Sequence, residues 1–564
     1  MLGFGRSSRD PLVDAKSAER WLTAFSANDQ MALHTAALAE LRRLTERDAK
    51  RTPARLEAVF QVDRRMSALR ETLTEQYLGQ GNRSTRVENQ LWQALFDLTQ
   101  GLLLCYQAFA REMADHPQDS KWQSMLPELI ARQVIHQGLE AKFRLFRYEQ
   151  WIPAKWGDLN SLFQQACSAQ IERQPVAALP DGTATTIEQE YLRVLVMQLV
   201  NSGNITPRHL QWISEQLPQW CAPLRLNIES STVTSFYVDL AARAGLRRRG
   251  PQPLEGRVLF LDTRPLHAVL MQNLVVLDQK IRSNPLSERT PRRTEQLNLL
   301  TKLASQVDPE FKPFARRGER TAAQGSVDAI IGFNKIANFL RDEEMLPFLD
   351  GRRSSTTFGD GVELATFGRV RNEQERSQEM AKRRLANYSA PGGPWEIRDV
   401  SQTGFRLVAP MSVISTVTLG TMTAIRPSSQ GMWMLGLVRR MRRLTTERAE
   451  IGLQVIANSL IEVELMEPRK NEGDDYSVDG EAPTVNSRRF SALFLSLRKR
   501  ETEPAVQTLV MPPGEYQPGK RLRMSVGDSS RRIAFGRLLE QHSDWIWVTV
   551  ESLDLAAPAA GSTQ

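Results

Sequence analysis

The spacing of apolar residues changes once along this chain, and that change limits what it can fold into. Up to about residue 222, apolar positions recur at three- and four-residue steps, the period of a helix with one buried face. From about Phe311 they alternate, the period of a half-buried strand. Between Thr85 and Arg111, Val87, Leu91, Leu95, Leu98, Leu102 and Phe109 form one stripe, and Thr85 with Glu88 reads as a capping box. A second helix opens at Thr185 with Glu188, runs through Tyr191, Leu195 and Leu199, and stops at Asn201-Ser202-Gly203. Thr206 followed by Pro207 caps a third, because proline suits the first helical turn. Residues 1–222 are therefore expected to form an α-helical domain of antiparallel neighbours. Residues 223–310 read as a small α/β connecting segment. SFYVDLA and GRVLFLD are strand-like, Pro265 to Val276 is helical, and Arg247-Arg248-Arg249 forms a basic turn.

A chain of 564 residues should hold roughly three or four domains. No run approaches the roughly 18 apolar residues of a membrane-crossing helix, and the opening MLGFGRSSRDPLVDAKS lacks the apolar core of a secretory signal. Cys105, Cys167 and Cys221 are odd in number and far apart, which points to free thiols and a cytoplasmic setting rather than a disulfide framework. The formal charge of +8 permits an anionic ligand without requiring nucleic acid.

The β region begins with the sequence FKPFARRGER, in which Arg316 and Arg320 form an R-x-x-x-R pair. Val327, Ala329 and Ile331 alternate just after it as a first strand. A long excursion, about 334–392, opens with the helical stretch NKIANFLRDEEM and then becomes polar, as a flexible loop does. Strands resume in WEIRDVSQTGFRLV, where Ile397 precedes a polar turn and Phe405 and Leu407 alternate after it. This hairpin contains Asp399-Val400-Ser401-Gln402-Thr403-Gly404, of the form D-x-S-x-x-G. Met432 to Arg443 and Ala449 to Ile456 follow as a strand pair. Residues 471–486 read as an acidic linker, 487–556 as a C-terminal β domain forming a small antiparallel sheet, and 557–564 as a disordered tail.

The two motifs in this order, each beside a strand, resemble the PilZ domain, a small β-barrel through which bacterial proteins bind cyclic di-GMP. The resemblance covers about residues 311–470, and with the helical and C-terminal readings above the expected fold class is multidomain α+β: an N-terminal α-helical domain, a PilZ-like antiparallel β-barrel and a C-terminal small antiparallel β-sheet. It implies a non-enzymatic receptor that takes cyclic di-GMP as ligand, uses no cofactor, and passes the signal to a protein partner in motility, biofilm or exopolysaccharide control. Arg316 and Arg320, with Arg317 helping, would contact phosphate and guanine. Asp399 would accept from guanine N–H groups, Ser401 would add a hydroxyl, and Gly404 would permit a tight turn and close approach. Arginine suits this task because its planar fork bonds two acceptors at once and stays charged.

Two rival functions are a degenerate PilZ adaptor that binds proteins without nucleotide, and a nucleic-acid-binding protein, the latter without the interleaved aromatics of a stacking platform. A rival arginine source is Lys382-Arg383-Arg384, which lacks the i, i+4 pair and a following strand. The histidines show no metal-ligand spacing, and no P-loop, Rossmann or nucleophile-elbow fingerprint is present, so neither a catalytic nor a metal site is expected. Arg439, Arg440, Arg442 and Arg443 read as a solvated basic ribbon on a barrel strand.

Overall fold

The computed structural model describes residues 10–26, 29–79, 85–201, 203–229, 236–250, 256–284, 290–310, 320–350, 383–414, 416–428, 432–467, 489–497, 506–526 and 529–553. The fold is multidomain α+β, in two compact units, Met1–Pro313 and Phe314–Gln564.

The first unit is helical, with α1 (Ala15–Thr23), α2 (Gln30–Thr45), α3 (Pro53–Leu78), α4 (Thr85–Ala114), α5 (Ser120–Leu145), α6 (Pro153–Ser168), α7 (Ile187–Val200) and α8 (Pro207–Cys221). Local chemistry sets several starts. The side chains of Thr52 and Thr206 accept from Arg55 N and His209 N, each beside a proline in the first turn. At α7 the cap is Thr186, one residue later than the sequence suggests. Thr185 donates to the buried Glu190 instead. The side chain of Thr85 lies outside the described residues. Inside the bundle, the buried Asp63 carboxylate accepts from Tyr106 Oη (2.8 Å), Arg132 Nη1 (2.8 Å) and His136 Nε2 (2.9 Å). Burial alone would raise the Asp63 carboxyl, but His136, Arg132 and Arg70 around it more than reverse that and hold it well below the usual carboxylate range. The Cys105 and Cys221 thiols, both buried and free, are pushed up to about 12 by burial.

The expected connecting segment is not a separate body. Four short strands, β1 (Leu226–Asn227), β2 (Phe236–Asp239), β3 (Arg247–Arg248) and β4 (Val258–Leu261), form an antiparallel sheet in the order β1-β4-β2-β3. The basic "turn" at Arg247–Arg248 is thus a strand paired with β2. Strands of two to four residues cannot bury a core of their own. Phe236, Val238 and Leu261, with Leu266 and Leu270 of α9 (Arg264–Arg282) and Leu303 and Val307 of α10 (Thr290–Val307), join the same apolar core that begins at Leu12.

The second unit holds two closed barrels. The first contains β6 (Ser326–Ile331), β7 (Trp395–Ser401), β8 (Gly404–Pro410), β9 (Met422–Pro427), β10 (Met434–Arg443) and β11 (Arg448–Ala457), which pair round the ring as β6-β7-β8-β11-β10-β9. A short β5 (Thr321–Ala322) pairs with the far end of β7. The second barrel differs from the expected small open sheet. Strands β12 (Ile461–Met466), β13 (Arg489–Leu497), β14 (Val506–Met511), β15 (Arg521–Val526), β16 (Ser529–Gln541) and β17 (Ile546–Ser552) close as β12-β13-β14-β17-β16-β15. Strand β12, which the sequence reading puts in the first barrel, supplies the pairing that closes the second, so the junction is the short stretch Asn458–Leu460 rather than residues 471–486. Closure removes the exposed sheet edges that an open sheet would leave.

The excursion is also more structural than its polarity suggests. It opens with α11 (Phe333–Asp350), whose Phe333, Ile336, Ala337, Phe339 and Leu340 pack against residues of both barrels. The expected loop at 351–382, the linker 471–486 and the tail 557–564 lie outside the described residues. Among the described residues, no helix is long and apolar enough to cross a membrane, and no group of His, Cys, Asp and Glu side chains is arranged to hold a metal ion.

Candidate functional site

The D-x-S-x-x-G stretch forms the β7–β8 hairpin. Ser401 pairs with Gly404 across a two-residue turn, and Asp399 pairs with Arg406. A bulge between Ile397 and Asp399 shifts the side-chain alternation, so Ile397 and Leu407 face the barrel interior while Asp399 and Arg406 face outward. The Ser401 hydroxyl donates to the Gly404 carbonyl (3.2 Å), closing the turn. Gly404 is needed for close approach and not for a left-handed backbone. A β-carbon there would lie 2.1 Å from the Leu453 carbonyl oxygen on β11.

The register carries this face across further strands. Asp399, Arg406, Gly452 and Arg440 form one row over β7, β8, β11 and β10, and Ser401, Gly404, Gln454 and Leu437 form the next. Directly opposed residues point to the same side of a sheet, so Gly452 lies without a side chain between Arg406 and Arg440, and Arg440 Cβ stands 3.1 Å from where its β-carbon would be. On the other edge of β7, β5 brings Ala322 opposite Asp399, and Arg320, two residues earlier, lies on the same side. Its Nη1 donates to Asp399 Oδ1 at 3.1 Å, while Arg406 Nε meets Oδ2 at 2.9 Å and Arg406 Nη1 lies 3.9 Å from Glu450. One carboxylate is thus held by two arginines. Both guanidiniums are over a third exposed, so each bond is worth only about 0.2–1 kcal/mol and is readily exchanged for a ligand's.

Among the residues singled out from the sequence, Arg320, Asp399, Ser401 and Gly404 come together on this face. Arg316, Arg317 and Lys382 lie outside the described residues. The rival Arg384 is used elsewhere: its guanidinium sits over the Phe339 ring at 4.9 Å and donates to the Asp342 carbonyl, both on α11. The basic ribbon is not uniformly solvated. Arg439, the extra residue of a bulge in β10, makes a two-pronged bond to Glu540 of the second barrel (2.5 and 2.8 Å) and a third to Gln454. Sequence reading passed over Arg406, Gly452 and Gln454. Arg406 follows Gly404 by two residues and so shares its face, a signal available from strand period alone. The other two enter through the register of β11, which no local pattern reveals.

Comparisons with known proteins find similarity to cyclic di-GMP receptors, first of all in the helical unit. Residues 16–231 match the family described as "Cyclic-di-GMP receptor FimW, N-terminal domain". The cyclic-di-GMP receptor FimW of Pseudomonas aeruginosa is 21% identical over 423 residues, covering 68% of this chain and 65% of that protein, a little under two thirds of its length. Similarity to cyclic di-GMP receptors, expected from the barrel motifs, is thus found, and the family match itself lies in the helical half, in which sequence reading found no motif.

Proposed function

We propose that this chain is a cyclic di-GMP receptor that takes the nucleotide on the outward face of β7, β8 and β11. The observation that carries the proposal is Asp399 held between Arg320 and Arg406 on an exposed glycine-floored face. The cations match two phosphates and the O6/N7 edges of guanine, and the carboxylate matches guanine N–H donors. Arg316 and Arg317 add to the arm from its N-terminal side in sequence. The matched relative's name, and the order of the two motifs, support the same ligand. The protein acts by binding rather than catalysis, in the cytoplasm, and passes occupancy to a protein partner. The chain crosses from one compact unit to the other at Pro313–Phe314, just before Arg316 in sequence, so nucleotide bound by Arg316 bears on that connection. Motility, biofilm or exopolysaccharide control are the outputs that the PilZ resemblance implies. Calorimetric titration of the full chain tests the reading. Saturable binding of cyclic di-GMP supports it, and silence at high micromolar nucleotide favours the adaptor that binds proteins alone.

A further inference from the structure

The two barrels share one topology. Taking strands in chain order within each barrel, the ring of the first runs first, second, third, sixth, fifth, fourth, and so does the ring of the second. The corresponding strands differ in what they turn outward. In the first barrel the second, third and sixth strands turn outward Asp399 and Ser401, Arg406 and Gly404, Gly452 and Gln454. In the second barrel the same strands turn outward Leu493 and Leu495, Val510 and Thr508, Trp547 and Thr549, in the rows Leu493-Val510-Trp547 and Leu495-Thr508-Thr549. Their neighbours Ala492, Leu509, Met511 and Val548 fill the interior instead.

The equivalent face is apolar, and it is covered. Leu493, Leu495 and Val510 are at most 1% exposed, and together with Trp547 they pack on Phe333 and Phe339 of α11 and on Met422, Leu435 and Leu437 of the first barrel. The motif elements are missing too. Only Asn458–Leu460, without an arginine, precede β12, and the sequence joining β13 to β14 has no D-x-S-x-x-G. We propose that the second barrel is a nucleotide-silent copy of the first, whose ligand-type face has become the surface that fixes it to the first barrel. The chain then offers one nucleotide face, and the barrels respond as one body. The count of nucleotide faces rests on the function proposed above, while the docking face does not.

Hydrogen exchange on the full chain tests the docking face. Leu495→Ala on the second barrel should speed exchange at least ten-fold in residues 333–342 of α11, and Leu435→Ala on the first should do the same in β13 and β14. Amides around Leu522 and Ile533, inside the second barrel, should keep their protection under Leu435→Ala. Unchanged exchange across the contact in both variants would overturn the proposal. Titration of Asp399→Ala with cyclic di-GMP tests silence: loss of all saturable binding is expected, and a second class of saturable sites surviving in this variant contradicts it. A wild-type chain that binds no nucleotide counts against the proposed function and leaves the exchange result to decide the docking face.

Discussion

Asp399 shows what one residue's environment does to its role. Its carboxylate is 14% exposed and already bonded to Arg320 and Arg406, so ligand binding on this face exchanges partners without uncovering a buried acid. Arg320→Ala should weaken cyclic di-GMP binding by about 1.5–3 kcal/mol, the range for hydrogen bonds to charged groups, and Arg320→Lys should restore part of it, since an ammonium lacks the two-pronged geometry. Calorimetry on the two variants checks this, and full recovery of affinity by Lys would remove the bidentate role. Arg320 reaches Asp399, 79 residues away, only through the pairing of β5 with β7, whereas the hairpin that carries Asp399, Ser401 and Gly404 was legible in sequence because it is local. Glycine's reason was not: the Leu453 carbonyl that forbids a β-carbon at Gly404 belongs to a strand far along the chain. A separate residue-scale prediction concerns Asp63. Its folded carboxyl is held below the usual range, so its contribution is complete above about pH 4 and is lost as pH falls below that, toward the folded value. Asp63→Ala, which leaves Tyr106 and His136 without their shared acceptor and the buried Arg132 with Glu128 alone, should cost about 3–5 kcal/mol at pH 7. Denaturant midpoints should show the gap between variant and wild type narrowing as the pH drops to 3.

At the scale of elements, alternation and turn chemistry placed most strands within a residue or two, and the Thr206–Pro207 pair placed the start of α8. What they missed was pairing. Strand β12 reads equally well as the end of one barrel or the start of the next, and only its partners β13 and β15 decide. Helix α11 reads as the opening of a polar excursion, yet its apolar residues meet surfaces brought together by tertiary structure. Phe339, 3% exposed, packs edge-on against Trp433, so Phe339→Ala should destabilise the second unit by about 3–5 kcal/mol in denaturant unfolding. No loss of stability would mean that the helix is dispensable, as its polar continuation suggests. The β16–β17 turn supplies a pH-sensitive counterpart. Both ring nitrogens of His542 face acceptors, Asp544 Oδ1 at 2.7 Å and the Leu419 carbonyl of the first barrel at 3.0 Å, and only the imidazolium donates to both. Burial disfavours that charge, but Asp544, the Leu419 carbonyl and Glu540 outweigh it and raise the imidazole above its ordinary value. The contact is therefore fully present below about pH 6.5 and is lost as pH rises through the folded value. His542→Gln should flatten that dependence in thermal unfolding followed from pH 6 to 9. An unchanged slope would place the titration elsewhere.

At the scale of the whole molecule, the chain carries a helical unit that matches a cyclic di-GMP receptor family model over residues 16–231, and a barrel pair of which the first bears the two short motifs. The change of apolar period made the α+β division legible. The closure of the last strands into a second barrel, and the matching strand order of the two, were not, because circular order depends on long-range pairing. One barrel carries Asp399, Arg406, Gly404 and Gly452 on the outward side of its second, third and sixth strands, and the other carries leucine, valine, threonine and tryptophan on the outward side of the same strands. The central claim is that nucleotide sits on the first of these faces, and hydrogen exchange of the full chain with and without saturating cyclic di-GMP tests it most directly. The account predicts protection gained in residues 311–322, at 399–406 and at 450–454, with β15 and β16 unchanged. Protection gained on the second barrel alone, or none on the first barrel while calorimetry shows the ligand bound, would contradict it.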